Sequence, residues 1–175
     1  MSVLQILMGV WCMILRIEEW IFDIDMERTM SYSASEAAEH CDCAYCRNFY
    51  EGIDCYAPGL REFLVKFAVN IEAPDVLYPY DIYDDILYDG EYVIFGNILQ
   101  AGNDGITCGS VRIYPQAKTT HLHQGDHFAI FIEGLQMPWI LDEPLSDVVS
   151  TANEPSFLKK MWDRLLNRGK DTNLQ

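Results

Sequence analysis

The sequence predicts one α+β domain, in which an N-terminal strand and short helices pack on a mostly antiparallel, meandering sheet and a C-terminal helix follows. Two observations indicate this class. Apolar residues recur at helical spacing in the earlier part of the chain. Short runs with the pattern of β-strands, bounded by turn residues, dominate the later part. The 175 residues, of which 50% are hydrophobic, suffice to bury one sizeable core. We therefore expect a single domain over 1–175 with its core within 16–145.

The first elements are predicted from periodicity and capping. The apolar run 1–15 indicates a buried helix or strand. It is shorter than the about 20 residues of a membrane span, and it lacks the basic region of a signal peptide. The alternation over 20–27 indicates a half-buried strand with an acidic outer face. Ser33 and Glu36 have the spacing of a capping box, so we expect a short helix that begins there and runs towards the following cysteines.

Two further helices and a sheet complete the predicted order. Asp42 can cap a helix over roughly 43–54, and a third helix follows Pro58-Gly59 and ends near Asn70. Asp89-Gly90 indicates a turn that introduces the sheet. The predicted strands, the last of them a short edge, lie at 92–99, 111–114, 119–123, 128–132 and 138–141. An amphipathic helix is expected over 154–170.

The charge pattern limits the classes of partner. The formal net charge is −15, and because the segment 154–175 holds five basic and three acidic residues, the rest of the chain carries −17. Such a body repels phosphates, which disfavours direct nucleic acid binding and favours a basic protein partner. Neither a membrane span nor an export signal is recognised, so we expect a cytoplasmic protein with reduced cysteines. The sequence makes no prediction of the oligomeric state.

Cys41, Cys43 and Cys46 form the densest group of potential metal ligands in a chain of six cysteines. Cys43 and Cys46 are one helical turn apart, and the N-terminus of the predicted helix favours the thiolate form that binds metal. A structural zinc takes four ligands, so His40, Cys55 or a histidine from elsewhere would supply the fourth. The sequence predicts one structural zinc. Reduced cysteines without metal and a redox thiol remain open alternatives.

His121, His123 and His127 form a second potential metal site. If the chain turns at Gln124-Gly-Asp126, His123 and His127 face each other across a hairpin and His121 lies on the same face. Three imidazoles suit zinc or a catalytic transition metal. The run resembles part of the cupin metal motif, with His127 at the position of its carboxylate and Gly134 at that of its glycine. Exposed hairpin histidines without a ligand are the alternative.

Tyrosines alternate with aspartates in the segment that follows Pro74. Tyrosine pairs well with arginine at binding hot spots, and closely spaced carboxylates can imitate nucleic acid towards a basic groove. A solvated acidic face without a partner is the alternative. The predicted partner-binding residues are Tyr78, Tyr80, Asp81, Tyr83, Asp84, Asp85, Tyr88 and Asp89.

The segment Cys41-Asp-Cys-Ala-Tyr-Cys-Arg-Asn-Phe49, together with Pro138-Trp-Ile-Leu-Asp-Glu-Pro144, resembles a group of small uncharacterised proteins of gut Firmicutes and their mobile elements. The resemblance covers residues from about 20 to about 145. It implies no particular activity. It favours a role in the conflict between bacteria and mobile DNA.

The leading functional hypothesis is a non-catalytic acidic binding protein that inhibits its partner by occupying a basic nucleic-acid-binding groove, as an anti-CRISPR or similar defence inhibitor does. No residue is predicted to be catalytic, because the phosphate-loop, nucleophile-elbow, dinucleotide-binding and His-Glu-x-x-His motifs do not occur in the sequence. One alternative is a metal-dependent enzyme that uses the histidine run. Another is a structural, homo-oligomeric domain without catalytic function.

Overall fold

The computed structural model describes residues 12–38, 41–82, 85–117, 119–120 and 123–145. A seven-stranded antiparallel sheet with three helices is present in these residues, which confirms the predicted α+β class. The elements in chain order are β1 (Cys12–Ile17), β2 (Trp20–Asp25), α1 (Met26–Ala38), α2 (Ala44–Tyr56), α3 (Leu60–Val65), β3 (Val76–Ile82), β4 (Asp85–Gln100), β5 (Ile106–Cys108), β6 (Val111–Gln116) and β7 (His127–Pro138).

The long strand β4 organises the sheet. The strand order is β1-β2-β4-β7-β6-β5, and β3 pairs with β4 outside this path. One edge of β4 pairs with β7 along most of its length. The other edge pairs with β3 in its first half and with β2 in its second half. β3 and β2 therefore lie at opposite ends of the same edge of β4.

The strand predicted near Trp20 is confirmed as β2, with Trp20, Phe22 and Ile24 buried. The predicted capping box is wrong. Helix α1 begins directly after β2, and Asp25 Oδ1 accepts a hydrogen bond of 3.0 Å from the backbone N–H of Arg28 in the geometry of an N-cap. Ser33 lies inside α1, where its hydroxyl oxygen accepts the N–H of Asn70 over 2.8 Å.

The predicted second helix is confirmed as α2, although its cap is not Asp42. Cys43 is the N-cap residue, in an extended conformation with φ −72° and ψ 159°, and it makes no side-chain capping bond. Helix α3 begins at Leu60, as expected, but it ends earlier than predicted. After Val65 the chain continues in short turns, and the positive φ of 61° at Ala68 prevents the helix from resuming.

The strands predicted at 92–99, 111–114 and 128–132 lie within β4, β6 and β7. The predicted turn at Asp89-Gly90 is wrong, because both residues lie inside β4. Asp89 Oδ1 accepts the N–H of Gly134 over 2.8 Å where the register of β4 and β7 shifts, and Gly134 has a φ of 74°. Residues 119, 120 and 123 are not in a strand, and the predicted edge at 138–141 contributes only the last residue of β7.

Two compact units divide the chain, Met1–Leu141 and Asp142–Gln175. The structure describes only residues 142–145 of the second unit, so the predicted helix over 154–170 lies outside the described residues. The described part of the predicted element over 1–15 starts at Cys12 in β1. This strand is not buried, because its side chains alternate between exposed and half-buried.

Both faces of β4 are covered at its centre. On one face, the Tyr92 hydroxyl donates to the carbonyl oxygen of Ile71 over 2.7 Å. On the other face, the ring of Phe95 packs edge-on against Tyr32 of α1, with centroids 5.5 Å apart. A cluster of stacked and edge-on rings from β2, β7 and the segment after α3 fills the adjacent core; it consists of Phe22, Phe67 and Phe128.

Candidate metal centre

The start of α2 brings Cys41, Cys43 and Cys46 together. Their Sγ atoms all lie within 4.8 Å of one another, and no other three His, Cys, Asp or Glu ligand atoms in the described residues do so. Zn–S bonds of 2.3 Å in a tetrahedron place neighbouring sulfurs about 3.8 Å apart, so a small adjustment of the side chains suffices. These three cysteines could hold a metal ion.

Local backbone geometry produces this arrangement. Cys43 is the N-cap of α2, so Cys46 stands one turn into the helix and its side chain lies on the same side. The backbone N–H of Cys43 donates to Cys41 Sγ over 3.4 Å, which folds the preceding residues back towards the helix. Cys41 and Cys43 are exposed, whereas Cys46 is only 8% exposed. A metal ion can therefore reach the three sulfurs from solvent.

Hydrogen bonds within the cluster favour the thiolate form of Cys43. A hydrogen bond from the Cys46 thiol, which outweighs partial burial, lowers the pKa of Cys43 to about 5. The same hydrogen bond, together with burial, raises the pKa of Cys46 well above its ordinary value. Metal binding requires thiolates, so it would displace the remaining thiol protons.

No fourth ligand joins the three sulfurs among the described residues. His40 lies outside them. Cys55 is exposed near the end of α2, nine residues beyond Cys46, which corresponds to about 14 Å along a helix. A rigid helix cannot bring both cysteines to one ion, so Cys55 is corrected from ligand to isolated surface thiol.

Asn48 is an important residue that sequence reasoning missed. It is fully buried in α2, and its amide nitrogen donates to the hydroxyl of Tyr88 over 3.0 Å and to the carbonyl oxygen of Pro138 over 3.2 Å. Its side-chain oxygen accepts the N–H of Ile140 over 2.8 Å. An asparagine two residues beyond Cys46 and next to an apolar stripe was the available signal, because helix interiors disfavour asparagine.

The predicted partner-binding residues do not form one surface. Tyr83 and Asp84 lie outside the described residues. Tyr88 is corrected to a core residue, because it is 1% exposed and its hydroxyl donates to the carbonyl oxygen of Tyr45 over 2.9 Å. Asp81 is exposed on the same side of the sheet as Tyr88 and accepts the Tyr45 hydroxyl over 3.0 Å.

Four of the predicted residues share the opposite face of β3 and β4. The register pairs Tyr78 with Asp89, and because side chains alternate along a strand, Tyr80 and Asp85 lie on that face too. All four are half-buried. We call these residues the tyrosine–aspartate face. Asp89 also has a structural role, since it accepts the N–H of Gly134.

The histidine site is incomplete in the described residues. His121 lies outside them, and the rings of His123 and His127 meet edge-to-face with centroids 5.3 Å apart. Both ring nitrogens of His127 already have neighbours, because Nδ1 lies 2.8 Å from Gly125 O and Nε2 lies 3.1 Å from Thr119 Oγ1. The described histidines are therefore close together without forming a three-ligand site.

Comparisons with known proteins yield no relative: no protein-family model, no curated protein and no solved structure matches the chain. Within the described ranges, no helix has the length and apolar character needed to cross a membrane. Function is therefore inferred from the chain's own residues and their geometry.

Proposed function

We propose that this chain is a non-catalytic, acidic binding protein stabilised by one zinc ion. Cys41, Cys43 and Cys46 hold the zinc and thereby fix the start of α2. The tyrosine–aspartate face on the other side of the sheet then occupies the basic, nucleic-acid-binding groove of a partner protein. The partner loses access to its nucleic acid as a result.

The contact between α2 and β4 carries this proposal. Asn48 and Tyr45, which flank Cys46 in the sequence, both form hydrogen bonds with the hydroxyl of Tyr88. Asp89 follows Tyr88 directly in β4, so its side chain points to the opposite face, where the register pairs it with Tyr78. Holding the start of α2 in place therefore also holds the strand that displays the binding residues.

Charge supports the choice of partner. The chain carries a net charge of −15, and two of its carboxylates, those of Asp85 and Asp89, lie on the same face as Tyr78 and Tyr80. Alternate residues on one strand lie about 6.8 Å apart, so Tyr78 and Tyr80 are neighbours on this face. Arginine binds such rings and carboxylates well, and electrostatic attraction to a basic groove accelerates association. Such binding weakens steeply as salt rises.

Zinc is favoured over other metals by the donors and by the compartment. Thiolates bind zinc, copper(I) and iron–sulfur clusters, and zinc needs no redox change or cluster assembly. A reducing cytoplasm, which we propose as the location, keeps the cysteines available. His40 or a solvent molecule takes the fourth position. The resemblance of the cysteine segment to proteins of mobile elements supports a role in defence against mobile DNA or in the inhibition of that defence.

Native mass spectrometry tests the zinc site. The purified chain should carry one zinc ion, which a chelator removes with a loss of thermal stability. Cys46→Ser should abolish zinc binding, whereas Cys108→Ser, a change at a half-buried cysteine on β5, should retain it. A metal-free wild-type chain whose melting temperature does not change on adding zinc would contradict the proposal.

Capture of partners at low and high salt tests the binding function. Bait protein with the tyrosine–aspartate face intact should retain a basic partner at low salt and release it at high salt. The captured partner should lose nucleic acid binding when the wild-type chain is added, but keep it with the double change Tyr78→Ala and Tyr80→Ala. Tyr114→Ala, a half-buried tyrosine on β6, is the matched control. A salt-insensitive interaction, or a self-associated chain with this face buried, would overturn the proposal.

A further inference from the structure

A second group of polar side chains gathers around Asp75 and contains none of the cysteines. It contains Tyr32 of α1 and His123, whose side chains contact that of Asp75, and Glu91 of β4, whose backbone oxygen accepts the N–H of Asp75. The Asp75 side chain is 5% exposed and that of His123 is 14% exposed. Ionisable side chains are rarely buried to this extent unless each has a partner.

Some members of the group are fully paired. The Tyr32 hydroxyl donates to Asp75 Oδ1 over 2.5 Å. The Glu91 carboxylate accepts two hydrogen bonds from Thr120, one from the backbone N–H over 2.6 Å and one from the side-chain hydroxyl over 2.5 Å. Two buried atoms make no hydrogen bond, however, and these are Asp75 Oδ2 and His123 Nε2. Native proteins leave few such atoms without a partner, so this pair requires an explanation.

The spacing of the pair indicates what is missing. His123 Nε2 lies 3.5 Å from Asp75 Oδ1, the oxygen that also accepts the Tyr32 hydroxyl, which is too far for a good hydrogen bond although it is an ion-pair distance. Two ligands on one tetrahedral metal ion, each bonded at 2.0–2.2 Å, lie about 3.4 Å apart. Nε2 and Oδ1 are thus separated by the distance expected between a histidine and a carboxylate ligand of the same ion, whereas Oδ2 of the same carboxylate is the oxygen without a hydrogen bond.

We propose that Asp75 and His123 form a second metal site, which binds a divalent first-row transition ion with solvent in the remaining positions. Imidazole and carboxylate together suit such ions. Tyr32 orients the carboxylate as an outer-shell partner, and the rings of Phe95 and His127 pack edge-on against His123. The site is independent of the cysteine cluster and of the proposed binding function.

Titration of the reduced full chain with Co²⁺ tests this site, because the two sites differ in their spectra. Cobalt bound by thiolates has intense charge-transfer absorption, whereas cobalt bound by nitrogen and oxygen has only weak ligand-field bands. We expect two equivalents per wild-type chain, one of each kind. Cys46→Ser should remove the intense band and leave the second equivalent bound.

Changes at the proposed ligands should act on the second equivalent alone. His123→Gln and Asp75→Asn should each weaken it by about 100-fold, and Tyr32→Phe by about tenfold. Asp126→Asn changes an exposed carboxylate between β6 and β7 and should leave the second equivalent unchanged. Circular dichroism shows that each variant is folded. Cys46→Ser protein that binds no cobalt, or a nitrogen–oxygen-bound equivalent that survives both His123→Gln and Asp75→Asn, would overturn the site.

Discussion

The side-chain amide of Asn48 donates a hydrogen bond of 3.0 Å to the hydroxyl of Tyr88, and both residues are buried. They are 40 residues apart in the sequence. The Tyr88 hydroxyl donates to the backbone oxygen of Tyr45, and the Asn48 amide also donates to the carbonyl oxygen of Pro138 at the end of β7. Every polar atom of this pair is used, so the network specifies one position of α2 on the sheet.

Asn48→Ala should lower the free energy of unfolding by about 2–4 kcal/mol, because it leaves the Ile140 N–H and the Pro138 oxygen without their partner. Urea unfolding measures the loss, with an unchanged denaturant slope if the fold is intact. Asn97→Ala, at an exposed position of β4, is the control and should cost less than about 0.5 kcal/mol. Equal losses in the two variants would show that the network does not hold α2.

Thr120→Val should destabilise the protein by about 1–3 kcal/mol, because it removes the hydroxyl that donates to the buried carboxylate of Glu91 over 2.5 Å. The change keeps the size of the side chain, so packing is little affected. Thermal and urea unfolding provide the measurement. Thr107→Val is the matched control, since Thr107 is exposed on β5. A Thr120→Val protein as stable as that control would mean that solvent satisfies Glu91.

Gly96→Ala should be far more damaging than Gly59→Ala. A Cβ atom at Gly96 would lie 2.0 Å from the carbonyl oxygen of Asp23, and Gly96 also has a φ of 135°. The added atom therefore forces β2 and β4 apart. Gly59 has a φ of 90° but no heavy atom within 4 Å of an added Cβ, so its substitution should cost only about 1 kcal/mol of backbone strain. Soluble, cooperatively unfolding Gly96→Ala protein with a comparable loss would refute this.

Alkylation of the metal-free, reduced chain should modify Cys43 first. Its pKa is lowered to about 5, chiefly by the hydrogen bond from Cys46, so the reactive thiolate is present at pH 6 and disappears as the pH falls below about 5. Cys46 is buried and its pKa is raised, so it should react slowly. Peptide mapping after iodoacetamide treatment gives the rates. If Cys43 reacts only in alkaline solution, the cluster does not stabilise its thiolate.

Local sequence patterns correctly predicted the features that depend on residues close together in the chain. The alternation around Phe22 predicted β2, and the spacing of Cys43 and Cys46 predicted that a helical turn would bring their sulfurs together. Both features depend on repeat lengths of a few residues, which the sequence displays directly. The capping-box prediction failed because it rested on local spacing alone. The Ser33 hydroxyl oxygen instead accepts the backbone N–H of Asn70, which is distant in the sequence.

By itself, the sequence determined the α+β class, the order of most elements and the cysteine group, since these follow from periodicity and short spacings. Only the tertiary structure decided that Tyr88 is buried on Asn48 and that Asp75 meets His123. These pairs depend on the register of β4 with its neighbours and on how loops close over it. A shift of one residue would turn every side chain of a strand to the other face, and no local pattern records which register wins.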